Sequence, residues 1–327
     1  MSDISLEERK ARLTELFPFV STIKKAISHV IVGQDYMVER LLIGLLADGH
    51  VLLEGAPGLA KTLTVRSLAS AIDLSFSRVQ FTPDLLPADL VGTEIYDPKN
   101  GGFSTRKGPI FGSIVLADEI NRAPPKVQSA LLEAMAERQV TIGGETFSLP
   151  SPFLVLATQN PLEQEGTYPL PEAQADRFMF KVVVSYPSKE EEKEVLVRSW
   201  NPQSVQVPRV SSREDLMACR TGLEHVLVKD LILEYVLSLV RETRSQAGNP
   251  LSRYISFGAS PRASLSLLHA ARAHAFVQGR AFVTPDDVKA LAADVLRHRI
   301  VLTYEAEAEG VHHDWLIRQL LQQVKTP

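Results

Sequence analysis

Residues 55–62 read Gly55-Ala56-Pro57-Gly58-Leu59-Ala60-Lys61-Thr62 and follow the apolar run Val51-Leu52-Leu53. A strand that ends in a glycine-rich turn and opens a helix turns several backbone N–H groups toward one point. That point is an anion site, reinforced by the positive end of the helix dipole. At this spacing Lys61 reaches the β- and γ-phosphates of a nucleotide, and the Thr62 hydroxyl ligates Mg²⁺. Thr64-Val65-Arg66-Ser67-Leu68-Ala69 can continue the helix. A bare strand–helix turn needs the glycines but not Lys-Thr, so the stretch reads as a phosphate-binding loop. One position is irregular. Ala60 stands where Gly is expected before the lysine, which suits a backbone that does not need positive φ.

Around this loop, strand-like apolar runs alternate with helical stretches. The strand candidates are His50–Glu54, Ser75–Phe81, Ile114–Ala117, Phe153–Ala157 and Phe178–Ser185. Such alternation predicts a parallel sheet with helices on both faces, and ligands at the carboxyl ends of the strands. Residues 6–30 carry apolar positions at helical spacing, from Leu6 and Leu13 to Ile27 and Val30. Composition shifts near Tyr186-Pro187-Ser188. Ser188 followed by Glu191 is a capping-box signature for a charged helix over Lys189–Ser199, whose charge run suits a solvated face. Only helical patterns follow: Asp230–Thr243, Arg262–Phe276, Pro285–Ile300 and His313–Val324. The expected organisation is an α/β nucleotide domain over 1–187 and a smaller all-helical domain over 188–327.

Composition narrows the function. With 327 residues and 45% hydrophobic content the chain has material for two domains and a sizeable core. Net charge is −4, which argues against nucleic acid as the main partner. A single cysteine, Cys219, excludes an intramolecular disulfide and fits a reducing compartment. The charged N-terminus has no signal-peptide core, and no apolar run approaches membrane-spanning length. A cytoplasmic protein without direct membrane insertion is expected.

Chemistry concentrates at the predicted strand ends. Ile114-Val115-Leu116-Ala117 runs into Asp118-Glu119. Asp118 would hold Mg²⁺, and Glu119 would act as general base on the attacking water. The next strand ends at Thr158-Gln159-Asn160-Pro161, where the Asn160 amide can orient that water or contact the γ-phosphate. Arg177, before the last strand, could supply positive charge in the transition state or merely pair with Asp176 at the surface; spacing alone does not choose. Arg262 follows Ser260-Pro261 in a helical first turn, where a cation is unfavourable for the dipole. That local conflict marks a functional candidate. The histidines carry no metal pattern: His312-His313 are adjacent, and His269 and His274 are not at zinc-helix spacing. A dinucleotide fold would need Gly-x-Gly-x-x-Gly after the first strand, which is not present.

Four runs together resemble the MoxR family of AAA+ ATPases. They are the Walker A loop, Asp118-Glu119-Ile120-Asn121-Arg122-Ala123-Pro124-Pro125, Ala157-Thr158-Gln159-Asn160-Pro161, and residues Glu163 to Phe178. The resemblance spans nearly the whole chain from Val32-Gly33-Gln34 onward, and Ala60 is usual within it. It implies an ATP- and Mg²⁺-dependent ATPase. Gly33 and Gln34 would lie near the adenine, and Gly55, Ala56, Pro57, Gly58, Leu59, Ala60, Lys61 and Thr62 would cradle the phosphates. Asn160 would be sensor 1, Arg262 sensor 2, and Arg177 an arginine finger pointing into a neighbouring subunit of a ring, usually a hexamer. Residues 82–108 resemble the helix-2 insert and 140–147 the hairpin before sensor 1. Gly143-Gly144 between alternating flanks independently signals a hairpin. The implied work is chaperone-like remodelling, maturation or cofactor insertion on a partner carrying a von Willebrand factor A domain. Two alternatives stay open: the ATPase subunit of a metal-chelatase-type complex, and a nucleotide-switched regulatory binding module.

Overall fold

The computed structural model describes residues 5–98, 101–161, 166–200, 206–244 and 249–327. Parts of two expected features, Lys99 and Asn100 of the first insert and Glu163, Gln164 and Glu165 of the fourth motif, lie outside the described residues.

The five strand candidates form one parallel sheet: β1 (Val51–Glu54), β2 (Phe76–Gln80), β3 (Ile114–Asp118), β4 (Leu154–Gln159) and β5 (Phe180–Val183). Their order is β2-β3-β4-β1-β5. Inner strands of such a sheet are covered on both faces, so their side chains are apolar throughout and alternate between two cores. Val51 and Leu53 point into one core and Leu52 into the other; Ile114 and Leu116 likewise part from Val115 and Ala117. The first core continues through Leu216, Leu239, Leu267, Leu291 and Leu316 of the helical C-terminal region.

Register places the polar strand ends side by side. Gln80 pairs with Asp118, and Glu54 with Gln159. Helix Lys61–Ala71 starts directly after the glycine loop.

The N-terminal periodicity resolves into two helices, Leu6–Thr14 and Pro18–Ser28, because Pro18 opens a new first turn. Helix Lys189–Trp200 is capped as expected: Ser188 N–H donates to Glu191 Oε2 (2.7 Å), and Glu191 N–H to Ser188 Oγ (3.3 Å). It buries no residue, which makes it a solvated helix. Among the described residues the C-terminal region is helical apart from a short antiparallel pair of Ile255–Phe257 with Val301–Leu302 and an isolated bridge between Leu227 and Phe282. The helix expected to reach Ile300 stops at Leu296, and the next three residues turn back onto the sheet.

Both inserts contain hairpins. The first has helix Pro87–Val91 and then strands Gly92–Asp97 and Gly102–Lys107. The second pairs Gln139–Ile142 with Glu145–Ser148 around Gly143 and Gly144, both at positive φ. The two are tied together. Lys107 Nζ lies 4.8 Å from the Phe111 ring centroid and 5.1 Å from that of Phe147, and the Glu94 carboxylate packs on Gly143.

Candidate active site

A cavity of about 400 Å³ opens at the carboxyl edge of the sheet. Its walls are the loop and helix start from Pro57 to Leu63, Arg78 and Gln80 of β2, Asp118 and Glu119 at the end of β3, and Thr158, Gln159 and Asn160 at the end of β4. Leu59, 7% exposed, anchors the loop in the core. Gly55 and Ala56 lie behind it. A Cβ at Gly55 would come within 2.8 Å of the Val184 carbonyl oxygen, so packing requires glycine there. Ala60 is left-handed, with φ +55° and ψ +18°. The condition attached to this alanine is therefore not met: the backbone does take positive φ, at a cost of about 1–2 kcal/mol for a residue with a Cβ.

Lys61 Nζ donates to the loop's own carbonyls, Gly55 O at 2.5 Å and Ala56 O at 3.1 Å. Burial lowers its pKa, opposed by the nearby charges of Asp118 and Glu119. Across the cavity Asp118 Oδ1 accepts from Thr158 Oγ1 (2.6 Å), and its Oδ2 accepts from Arg78 Nη2 (2.6 Å) and Nε (3.0 Å). Thr158 Oγ1 in turn accepts from the Glu119 N–H (2.8 Å), so one hydroxyl spaces the two acids.

Glu119 is also left-handed, with φ +56° and ψ +51°. The turn Ile120–Arg122 follows, in which Arg122 N–H donates to Glu119 O (2.9 Å). Residues three apart eclipse in a 3₁₀ turn. Arg122 Nε thus lies 3.2 Å from Glu119 Oε2, which also accepts from Gln80 Nε2 at 2.7 Å. A hydroxyl (Thr62) and a carboxylate (Asp118) on facing walls are hard oxygen donors, which fit magnesium.

The remaining candidates do not line this cavity. Gly33 and Gln34 are both left-handed; Gln34 Nε2 donates to Ser185 O (3.2 Å), and the Glu191 carboxylate packs on Gly33. Arg177 donates to the Leu132 carbonyl. Arg262 Nη1 reaches Asp176 Oδ2 at 3.2 Å. Sequence reasoning passed over Arg78, Gln80 and Thr158. The strand-end rule could have marked Gln80 and Thr158 as positions near the ends of β2 and β4, but not their partners; Arg78 lies mid-strand and no local signal marks it.

Comparison with known proteins places the chain. The family described as "ATPase family associated with various cellular activities (AAA)" matches residues 50–180, and the AAA lid domain matches 251–320. Chaperone MoxR1 of Mycobacterium tuberculosis is 51% identical over 314 residues, covering 94% of this chain and 83% of that protein. The chain belongs to the MoxR family of AAA+ ATPases. Protein MoxR of Methylorubrum extorquens is 30% identical over 99% of each chain. A solved Cytophaga hutchinsonii structure superposes on this MoxR chain with a TM-score of 0.91 at 47% identity, covering 98% of this chain and 99% of that one. The sheet with its phosphate loop is the AAA nucleotide-binding domain, and the C-terminal helices carry the AAA lid. Among the described residues of this MoxR chain, no helix is long and apolar enough to cross a membrane.

Proposed function

We propose that the chain couples ATP hydrolysis to chaperone-like remodelling or maturation of a partner protein. One observation carries this reading: phosphate loop, two strand-end acids and an asparagine converge on a single cavity. Lys61 exchanges its loop carbonyls for the β- and γ-phosphates, with the backbone of Gly55 to Thr62 around them. Thr62 and Asp118 hold Mg²⁺, which neutralises charge on the phosphate oxygens when bound. Glu119 takes the proton of the attacking water, and Asn160 orients that water. Gly33 and Gln34 lie beside the adenine. Arg262 reports γ-phosphate to the lid. Arg177 serves the neighbouring subunit's site, and its absence from the walls of its own cavity supports that role.

A ring follows from a finger that acts in trans, and we take it to be hexameric. The chaperone named among the relatives supports remodelling as the output. The partner we propose carries a von Willebrand factor A domain, and the setting is the cytoplasm. We put the division between nucleotide domain and lid at 187/188, next to the Ser188 cap of the solvated helix.

Calorimetry and turnover test the site together. Lys61→Ala should lose ATP binding, while Glu119→Gln should bind ATP and stop hydrolysing it, since an amide is no base. Equal ATP affinity of Lys61→Ala and wild type would overturn the assignment.

A further inference from the structure

We propose that Arg299 and Asp176 are positioning residues for Arg177, through which the lid of one subunit sets the arginine offered to the next. This rests on the reading of Arg177 as a cation supplied in trans.

The lid segment after helix Pro285–Leu296 grips residues 176–181. Arg297 donates to the Lys181 carbonyl, and His298 Nε2 to Phe178 O at 3.0 Å. Arg299 does most. Its Nη1 donates to Met179 O (3.0 Å), and its Nη2 to Phe178 O (2.7 Å) and Asp176 O (3.1 Å). Its Nε donates to Asp176 Oδ1 at 2.7 Å. One guanidinium therefore holds the carbonyls on both sides of Arg177.

Arg299 is buried, with 1% of its side chain exposed. An apolar residue could fill the same volume without the cost of desolvating a charge. Only a planar fork of five donors can fix three carbonyls and a carboxylate at once. The arrangement thus specifies the position of one backbone segment, beyond mere cohesion.

The same carboxylate has a second tie to the lid. Asp176 Oδ2 accepts from Ser260 Oγ (3.1 Å) and Arg262 Nη1 (3.2 Å), at the start of helix Pro261–Val277. Two lid elements meet on the residue one peptide bond from Arg177. A lid displacement reaches Arg177 through this contiguous set of bonds.

The test uses assembled, full-length protein carrying Arg299→Lys or Asp176→Asn. The lysine keeps the charge and loses the fork. Each variant should bind ATP within about threefold of wild type, while homomeric turnover falls about 30–100-fold, the effect of angstrom-scale misplacement. Mixing either variant with Lys61→Ala subunits should restore turnover toward about a quarter of wild type per subunit, because some intact loops then face an intact finger. A defect of folding or of the variant's own site would not be rescued by a neighbour.

Arg177→Ala mixed with Lys61→Ala is the control. Failure of that control, with subunit exchange verified by native mass spectrometry, overturns the trans reading itself. A rescued control with unrescued Arg299→Lys and Asp176→Asn overturns the relay, as does wild-type turnover in both. If Arg299→Lys does not assemble, Asp176→Asn, at a half-buried position, decides alone.

Discussion

Asp294→Asn should destabilise the folded chain by about 3–5 kcal/mol, the scale of breaking one partner out of a buried ion pair. The Asp294 carboxylate has no solvent exposure. It accepts from Tyr36 Oη (2.5 Å), Arg40 Nε (2.7 Å) and Arg297 Nη1 (3.1 Å), joining core helix Asp35–Leu46 to the lid. Arg40 is 4% exposed, and its other side-chain bonds go to Glu39 (2.9 Å) and the Ala290 carbonyl (2.8 Å). An Asn side chain keeps one acceptor and turns its NH₂ either toward Arg297, which bonds Oδ1, or toward Tyr36 and Arg40, which bond Oδ2. At least one donor is then unsatisfied, costing about 1–3 kcal/mol, and Arg40 keeps Glu39 as its only carboxylate. Urea unfolding followed by circular dichroism at pH 7 measures the loss. A double-mutant cycle with Arg40→Met and Asp294→Leu locates it. The pair removed together should cost at least about 2 kcal/mol less than the two single losses summed. A single-variant loss below about 1 kcal/mol, or additive singles, would refute the reasoning.

Further expectations follow from the same geometry. Burial, aided by Arg138, pushes the His50 pKa down to about 3. An unfolded imidazole titrates near pH 6.5, so the unfolded state takes the proton first; His50's contribution is full above about pH 6.5 and falls by about 1.4 kcal/mol per unit below it. His50→Gln should remove that component of the slope between pH 7 and 5.5, and an unchanged slope in denaturant titrations counts against it. Ala60→Gly relieves about 1–2 kcal/mol of strain and loses about 0.4–1 kcal/mol through unfolded-chain entropy, so thermal melting should be equal or slightly higher. Ala60→Val should melt earlier and bind ATP more weakly, since a β-branched residue suits this φ poorly; wild-type behaviour in both assays contradicts this. Replacing Thr141–Glu145 by a short Gly/Ser turn should leave basal ATPase within about threefold, under 1 kcal/mol of barrier, and abolish stimulation by the partner. A stable, assembled and fully stimulated variant would exclude the hairpin as the coupling element.

The sheet was legible because buried parallel strands are apolar runs with polar ends, and all five candidate runs became strands. The Gly143-Gly144 hairpin and the Ser188 cap were legible because turn and cap chemistry is local. What failed to show was non-local. Gln80 and Arg78 reach Glu119 and Asp118 only through the register of β2 with β3. The grip of Arg297, His298 and Arg299 on residues 176–181 depends on a helix ending where its apolar periodicity could have continued. Ala60 and Glu119, both lining the cavity, adopt left-handed backbone against their own preference, which no local pattern announces. Three of the four runs that resemble the family lie at or just after the ends of β1, β3 and β4, and the fourth leads toward β5.

The tie between the inserts has a mutational consequence. Gly143 is held to glycine by its positive φ, and a Cβ there would also push aside the Glu94 carboxylate, the far end of an exposed side chain. Asparagine tolerates that φ but brings the Cβ. Asn at 143 should therefore keep the turn but displace the Glu94 carboxylate and loosen this part of the tie between the inserts. A substitution at one hairpin's turn is thus felt first in the strand of the other.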